Sequence, residues 1–441
     1  MVLMLFLISI IINVSIAETT ALSADSLIGE RNFQNTLAIG EVPSIKNIHE
    51  AQTETTSQVA LPANEFGITT PLLSHYESVK LSNGQINILT DHNKIEYWKA
   101  RFDIEWRRAK PFYESQLISN GPKPIRYYDF RVIDALTGIL QATGDTKYLD
   151  NLVWYIDGVK NLAIKSSDGY FDWPNNDIKY QLYDGHGLRN VFKMLWILKK
   201  YPALRSKSNY QAKYDEWLAW FTTHVWDKWK SRGCGSILRS NTHMASHLGS
   251  NVALYLYLLE DDQTKKADYL SWLNAWNTDL KGKCRSAGKQ GKGFRDQLRT
   301  TDYGGYIWAS PWGQMEGSTD VSHANADVQS VINQFHQGIE WTETDIKKFI
   351  KTFNCILDAS PNPDYANLPE FLDSIYNSDD DNRPSVSYGW SMLGRFDRKL
   401  HRKLHDINTR QFRATHYYNN FIAVMAYNQA YLDDALVYPE F

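Results

Sequence analysis

Three polar helix starts recur at equal intervals: Asp129, His186 and His243 are each 57 residues apart. That interval holds one helix, a turn and a second, antiparallel helix. Further polar clusters open apolar runs at Ser322-His323-Ala324-Asn325 and Thr415-His416-Tyr417-Tyr418. A chain of such hairpins builds a ring. If the first helix of each hairpin lines the inside, its N-terminus delivers polar side chains and free backbone N–H groups to one shared mouth. The expected fold is therefore all-α, an (α/α)n toroid, with its chemistry at that mouth.

Apolar residues at three- and four-residue spacing support helices over 93–112 and 128–143, and the Gly144-Asp145 turn leads into 147–164. The pattern continues as 186–201 with 210–229, 243–259 with 265–280, and 322–338 with 343–357, then weaker helices at 388–405 and 417–436. No alternating Val/Ile-rich run competes, which argues against a sheet domain. Between residues 281 and 321 the pattern breaks for longer than an ordinary connection. Residues 18–71, rich in Thr, Ser, Glu and Ala, read as a linker or arm, and 72–441 as one catalytic domain.

Residues 1–17 are almost wholly apolar and end in Ser15-Ile16-Ala17, the pattern of a signal peptide cleaved after Ala17. The run is shorter than the ~20 residues a membrane span needs. A secreted or periplasmic protein without membrane attachment after cleavage is expected. Cys234 and Cys284 flank one hairpin and are expected to pair in an oxidising compartment, with Cys355 a buried free thiol. A net charge of −3 excludes a globally basic nucleic-acid binder, so any attraction for a polyanion must be local. The break in the repeat offers such a patch: Lys281, Lys283, Arg285, Lys289, Lys292, Arg295 and Arg299 face only Asp296 and Asp302. It reads either as a charged flap over an anionic substrate or as a solvated loop.

His243, His247 and Asn251 share a helix face. The histidine pair lacks the neighbouring Glu and the third ligand of a zinc site, so neither metal nor cofactor is expected. His247 reads as a core histidine and His243 as functional. Asn241-Thr242-His243, followed by Arg299, Tyr303 and Tyr306, resembles the motifs of helical-toroid polysaccharide lyases. These are the alginate lyases of family five and the alginate or glucuronan lyases of family thirty-eight. The resemblance implies β-elimination on an anionic, uronate-containing polysaccharide. Arg299 and Asn241 would neutralise the substrate carboxylate, Tyr306 or His243 would take the C5 proton, and Tyr306 would protonate the leaving oxygen. His186 would hold the carboxylate or orient a partner, and Tyr303 is the second candidate tyrosine. Arg295, Trp173, Trp312, His323, Asn325 and His247 would bind sugar; a rival alignment sets His323 and Asn325 against the tyrosine run.

Two other classes fit the same ring. A glycoside hydrolase would use a carboxylate pair such as Asp184 with Glu316 or Asp320. A non-catalytic carbohydrate-binding protein would need only an aromatic surface, for which 15 Trp and 26 Tyr are available.

Overall fold

A computed structural model describes residues 78–80, 86–88, 91–117, 129–173, 181–287, 292–359, 368–373, 386–407 and 415–441. The expected signal peptide and arm lie outside the described residues. Helices dominate, in the order α1 (Ile95–Leu117), α2 (Asp129–Thr143), α3 (Lys147–Asn161), α4 (Leu182–Lys200) and α5 (Tyr210–Phe221, carried on to Ser231). Next come α6 (Thr242–Ala245, carried on to Leu259), α7 (Gln263–Asn277), α8 (Val321–His336) and α9 (Glu343–Asp358). The last three are α10 (Gly389–Met392, carried on to Phe396), α11 (Arg398–Ile407) and α12 (Thr415–Leu432).

Local chemistry sets many of these boundaries. Gly144, at φ +71°, ends α2, where its N–H reaches the Leu140 carbonyl. Asp262 caps α7 by accepting from the N–H groups of Thr264 and Lys265, Asp320 caps α8 at His323, and Thr342 with Asp345 forms a capping box on α9.

The even-numbered helices form an inner ring. Neighbours α2, α4, α6, α8, α10 and α12 pack in that order, and α12 then packs on α1 and α2, which closes the circle. The core is their shared apolar surface: Leu136 and Leu140 of α2, Leu188, Val191 and Leu195 of α4, Leu248 and Val252 of α6, Val328 and Val331 of α8, and Phe421 and Ile422 of α12 are all fully buried. Each such side chain contributes about 1.5–3 kcal/mol of burial. Because every outer helix returns the chain, all inner helices run the same way and their N-termini share one end. The protein is an all-α toroid.

Three two-stranded antiparallel hairpins decorate it: β1–β2 (Ser78–Lys80, Ile86–Ile88), β3–β4 (Ile164–Lys165, Phe171–Asp172) and β5–β6 (Arg299–Thr300, Tyr306–Ile307). The expected helix over 388–405 is two elements. Asp397 breaks it by capping the N–H groups of Lys399 and Leu400, while Leu393, Leu400 and Leu404 keep the apolar spacing running through the break. Cys234 and Cys284 form a disulfide with a Cα separation of 5.5 Å. Cys355 is half-buried, more open than its apolar helix implied.

The far end of the ring is held by residues 437–441. The N–H groups of Val437 and Tyr438 donate to the Gln141 carbonyl, and Phe441 stacks on His336 at 5.1 Å. Glu440 is fully buried against Lys193 at 3.1 Å and Arg395 at 3.6 Å, and it accepts from the Tyr255 and Tyr427 hydroxyls. Burial pushes its pKa up, but Lys193, His336 and Arg395 bring it down to about 2. Glu440→Ala strands two buried cations and should cost about 3–5 kcal/mol in urea unfolding at neutral pH. A loss below about 1 kcal/mol would show that this clasp does not hold the ring.

Candidate active site at the toroid mouth

Below the mouth lies a buried guanidinium. Arg189, on α4, donates from Nη1 to His186 Nδ1 at 2.5 Å and His247 Nδ1 at 2.9 Å, and from Nε and Nη2 to Gln329 Oε1 at 3.2 and 2.8 Å. Gln329 of α8 in turn donates to Asp134 Oδ2 of α2, which also accepts from Asn420 of α12. Tyr388, at the start of α10, presents its ring to Arg189 at 5.5 Å and to Arg131 at 5.7 Å. One group thereby engages the whole inner ring.

Arg189 also settles the imidazole tautomers. A nitrogen that accepts from a guanidinium carries no hydrogen, so His186 and His247 each bear theirs on Nε2. The His247 Nε2–H then donates to His186 Nδ1 at 3.0 Å. Burial, and after it the Arg189 charge, pushes both histidines well below the ordinary histidine range, so they are neutral. His247 stands in a wide turn of α6, Ser246–Val252, where Asn251 donates to the Ser246 carbonyl at 2.9 Å and to Ser330 at 2.6 Å. Such turns are frequent at functional sites.

Nearer the rim is a carboxylate–imidazole dyad. Asp320 Oδ2 lies 2.5 Å from His323 Nδ1, and both side chains retain about a fifth to a quarter of their exposure, at 24% and 21%. Burial works against the Asp320 charge, but His323 more than offsets it and holds the carboxyl below its usual range. The His243 ring is 4.1 Å from that of His323. Burial, then His323, pushes His243 well down. Asp327, two turns along α8, accepts from Thr242 Oγ1 at 2.8 Å and Trp308 Nε1 at 2.9 Å, and burial raises it to about 7. It joins α6 to α8 beneath the dyad.

Of the residues expected from sequence, His186, His243, His247 and His323 come together here. Asn241 is spent as the cap of α6, accepting from the Met244 N–H, and Asn325 accepts from the Trp390 N–H. The arginine and tyrosines of the lyase motif go elsewhere. Tyr306 donates to Asp345 at 2.9 Å, in the first turn of the outer helix α9, which begins at the end of the ring opposite the mouth. Burial and Asp345 push its hydroxyl up to about 12. Tyr303 is 40% exposed, on the same hairpin. The Arg299 guanidinium donates to the Gly317 carbonyl, and Arg295 stacks on Trp341 and pairs with Glu340. The described part of the basic insertion thus runs along the outer wall, with Lys283 paired to Asp268, and is not a flap over the mouth. Residues 288–291 lie outside the description.

Trp173 and Trp312 are buried and donate to the carbonyls of Val159 and Leu238, so neither offers a face to sugar. The hydrolase pair built on Asp184 does not assemble either. Asp184 is fully buried and bonded to Lys228 at 2.6 Å and to Trp229 Nε1 at 2.7 Å, while Glu316 is exposed. Arg189, Arg131, Tyr388 and Gln329 were missed in the sequence. The one signal was the placement of Arg189 three residues after His186, on the same helix face.

No protein-family model and no curated protein matches the chain. A solved structure that matches is an inactive variant of the alpha-1,6-mannanase GH76A of a Salegentibacter species in complex with alpha-1,6-mannotriose. It has 12% identity and a TM-score of 0.38, and covers 75% of this chain and 99% of that chain. The resemblance to alginate and glucuronan lyases is therefore corrected. No family model matches the chain, and Arg299, Tyr303 and Tyr306 do not join His243.

The buried neutral histidines predict acid sensitivity. An unfolded chain protonates them near pH 6.5, whereas His186, His243 and His247 resist protonation in the fold. The unfolded state then binds more protons, so stability is full above about pH 6.5 and is lost as pH falls below it. The melting temperature should fall steadily from about pH 6.5 to 5, with a shallower slope in His247→Gln. An unchanged melting temperature over that range would refute the assignment of neutral imidazoles.

Proposed function

We propose that the mouth is the active site of an exported enzyme that hydrolyses glycosidic bonds in a polysaccharide bearing anionic groups. The observation that carries this reading is the Asp320–His323 dyad, held beside His243 above the buried Arg189. With Nδ1 bonded to the ionised Asp320, His323 exchanges protons through Nε2, the arrangement of an oriented general base for water. Arg189 and Arg131 place fixed positive charge beneath it in a medium of low dielectric, where a charge-assisted contact to a sugar carboxylate or sulfate is strong. The Cys234–Cys284 disulfide fits an oxidising compartment.

The test is incubation with a panel of neutral, carboxylated and sulfated polysaccharides, followed for new reducing ends and for the ultraviolet absorbance of an unsaturated end group. Reducing ends without that absorbance are expected. Asp320→Asn and His323→Gln should each lower kcat by at least ~10²-fold with little change in KM, because they remove proton transfer rather than binding. Tyr306→Phe, remote from the mouth, should retain wild-type turnover. An unsaturated product would overturn hydrolysis, and full activity in Asp320→Asn would overturn the dyad.

A further inference from the structure

The segment that follows α7 carries cations that the fold treats in two ways. Lys283 shares Asp268 with Lys230 and lies over the Trp272 ring, and Arg295 is held by Glu340 and Trp341. Lys281, Arg285 and Lys292 are exposed, and among the described residues none of them has a carboxylate within ion-pairing distance. Asp279, the acid nearest to Lys281 along the chain, is turned to the Gly282 N–H, which it accepts at 3.2 Å. On a chain whose net charge is −3, this is a local concentration of positive charge without its own counter-charge.

The backbone gathers the three residues on a fixed platform. Lys281 and Arg285 stand four residues apart across the short turn Leu280–Lys283, where the Cys284 N–H donates to the Leu280 carbonyl at 2.8 Å. The Leu280 N–H donates to the Lys292 carbonyl at 3.0 Å and so sets Lys292 beside that turn. Gly293 permits the approach: its φ is +149°, and a Cβ there would lie 2.4 Å from the Asn277 carbonyl oxygen and the Thr278 nitrogen. The Cys234–Cys284 disulfide pins the turn from its other side. Outer helices return the chain to the mouth end of the ring, so the platform follows the mouth-side end of α7. Cys234, to which it is stapled, stands seven residues before the Asn241 cap of α6. The cations therefore lie on the outer wall beside the rim.

The surroundings select the kind of partner. The exposed large apolar residues are Ile164, Tyr303, Met315, Val437 and Phe441, none of them on the platform, so it offers no apolar anchor for a bilayer and no aromatic face for nucleic-acid bases. Exposed cations on a rigid base suit an extended, hydrophilic polyanion, because little ordering is needed on binding. We propose that Lys281, Arg285 and Lys292 form a second binding site for anionic polysaccharide, which takes carboxylates or sulfates of the polymer several sugars away from the bond cleaved. This rests on the reading of the mouth as a polysaccharide-cleaving site, of which the platform is the outer extension.

The test is affinity electrophoresis of the full chain, in the Asp320→Asn background, through gels holding polygalacturonate, dextran sulfate or neutral dextran. The wild-type platform should be retarded by at least one polyanion and not by dextran. Lys281→Gln/Arg285→Gln/Lys292→Gln should weaken that retardation by at least ~10-fold at low salt, and the difference should fade towards ~1 M salt, where screening acts over about 3 Å. Lys281→Arg/Arg285→Lys/Lys292→Arg, which keeps the charge, should bind as wild type does. With Asp320 intact, the charge-removing variant should raise KM for a cleaved polymer, hold kcat within about 2-fold and leave the kinetics on short oligosaccharides of that polymer unchanged. Equal retardation of the charge-removing variant and its parent would overturn the site, as would tighter binding to phosphatidylglycerol vesicles than to either polyanion. Retardation that depends on these residues, in a protein that cleaves no polymer of the panel, would overturn the reading of the mouth and leave the platform standing.

Discussion

A guanidinium removed from water is the constraint around which this ring is arranged. Arg189 stays ionised at any physiological pH, and taking such an ion into a protein interior costs several kcal/mol unless its donors are met. They are met here by groups from different helices: His186 on its own helix, His247 on α6 and Gln329 on α8, with Asp134 and Asn420 bracing Gln329 from α2 and α12. No single hairpin can satisfy the arginine. Only the closed ring does, so the cost of burying Arg189 penalises every open or misregistered arrangement of the same helices.

The same helix repeats the device one turn further on. Lys193 follows Arg189 at i+4, on the same face of α4, and points a second buried cation at the far end, where Glu440 meets it together with Arg395. The two cations are treated oppositely. At the far end a fully buried carboxylate neutralises the charge and ties residues 437–441 across the ring. Towards the mouth, imidazoles and an amide accept from the guanidinium, and the Asp134 carboxylate is linked to it through Gln329. Burial first, and the Arg189 charge after it, keeps His186 and His247 neutral. The carboxylate that does stand at the mouth, Asp320, is placed at the rim and committed to His323.

The ring was legible in the sequence because its signals are local. Equal spacing of polar helix starts and apolar periodicity act within a few residues of where they are read. The Cys234–Cys284 pair was legible for a similar reason, since both flank one hairpin. The site was only half legible. His186 and His243 announce themselves as polar residues at apolar helix starts, whereas Arg189 and Gln329 lie within helices and acquire meaning only from partners 58 and 140 residues away. The run Arg299, Tyr303 and Tyr306 misled because spacing along the chain does not say which wall a hairpin will face. Tyr306 finds its acceptor in the cap of α9, 39 residues further along the chain, and that long-range bond ties β5–β6 to the outer helix.

Three irregular features adjoin the mouth on one stretch. The positive φ of Arg239, the Asn241 cap and the wide turn Ser246–Val252 all fall between residues 239 and 252, while other positive-φ residues (Ser208, Glu340 and Asp434) and a second wide turn, Thr222–Asp227, lie elsewhere. A core that needed only to pack would gain nothing from these irregularities, for an ordinary helix buries the same apolar residues. What they change is aim. His243 precedes the wide turn and meets His323 at the rim, while His247 stands inside it and reaches down to Arg189. One helix in this way supplies a histidine to each of two electrostatically different layers, the ionised dyad above and the buried cation below. Local rules are broken on α6 where the two layers are joined, and a broken rule beside converging polar groups marks a place to seek chemistry.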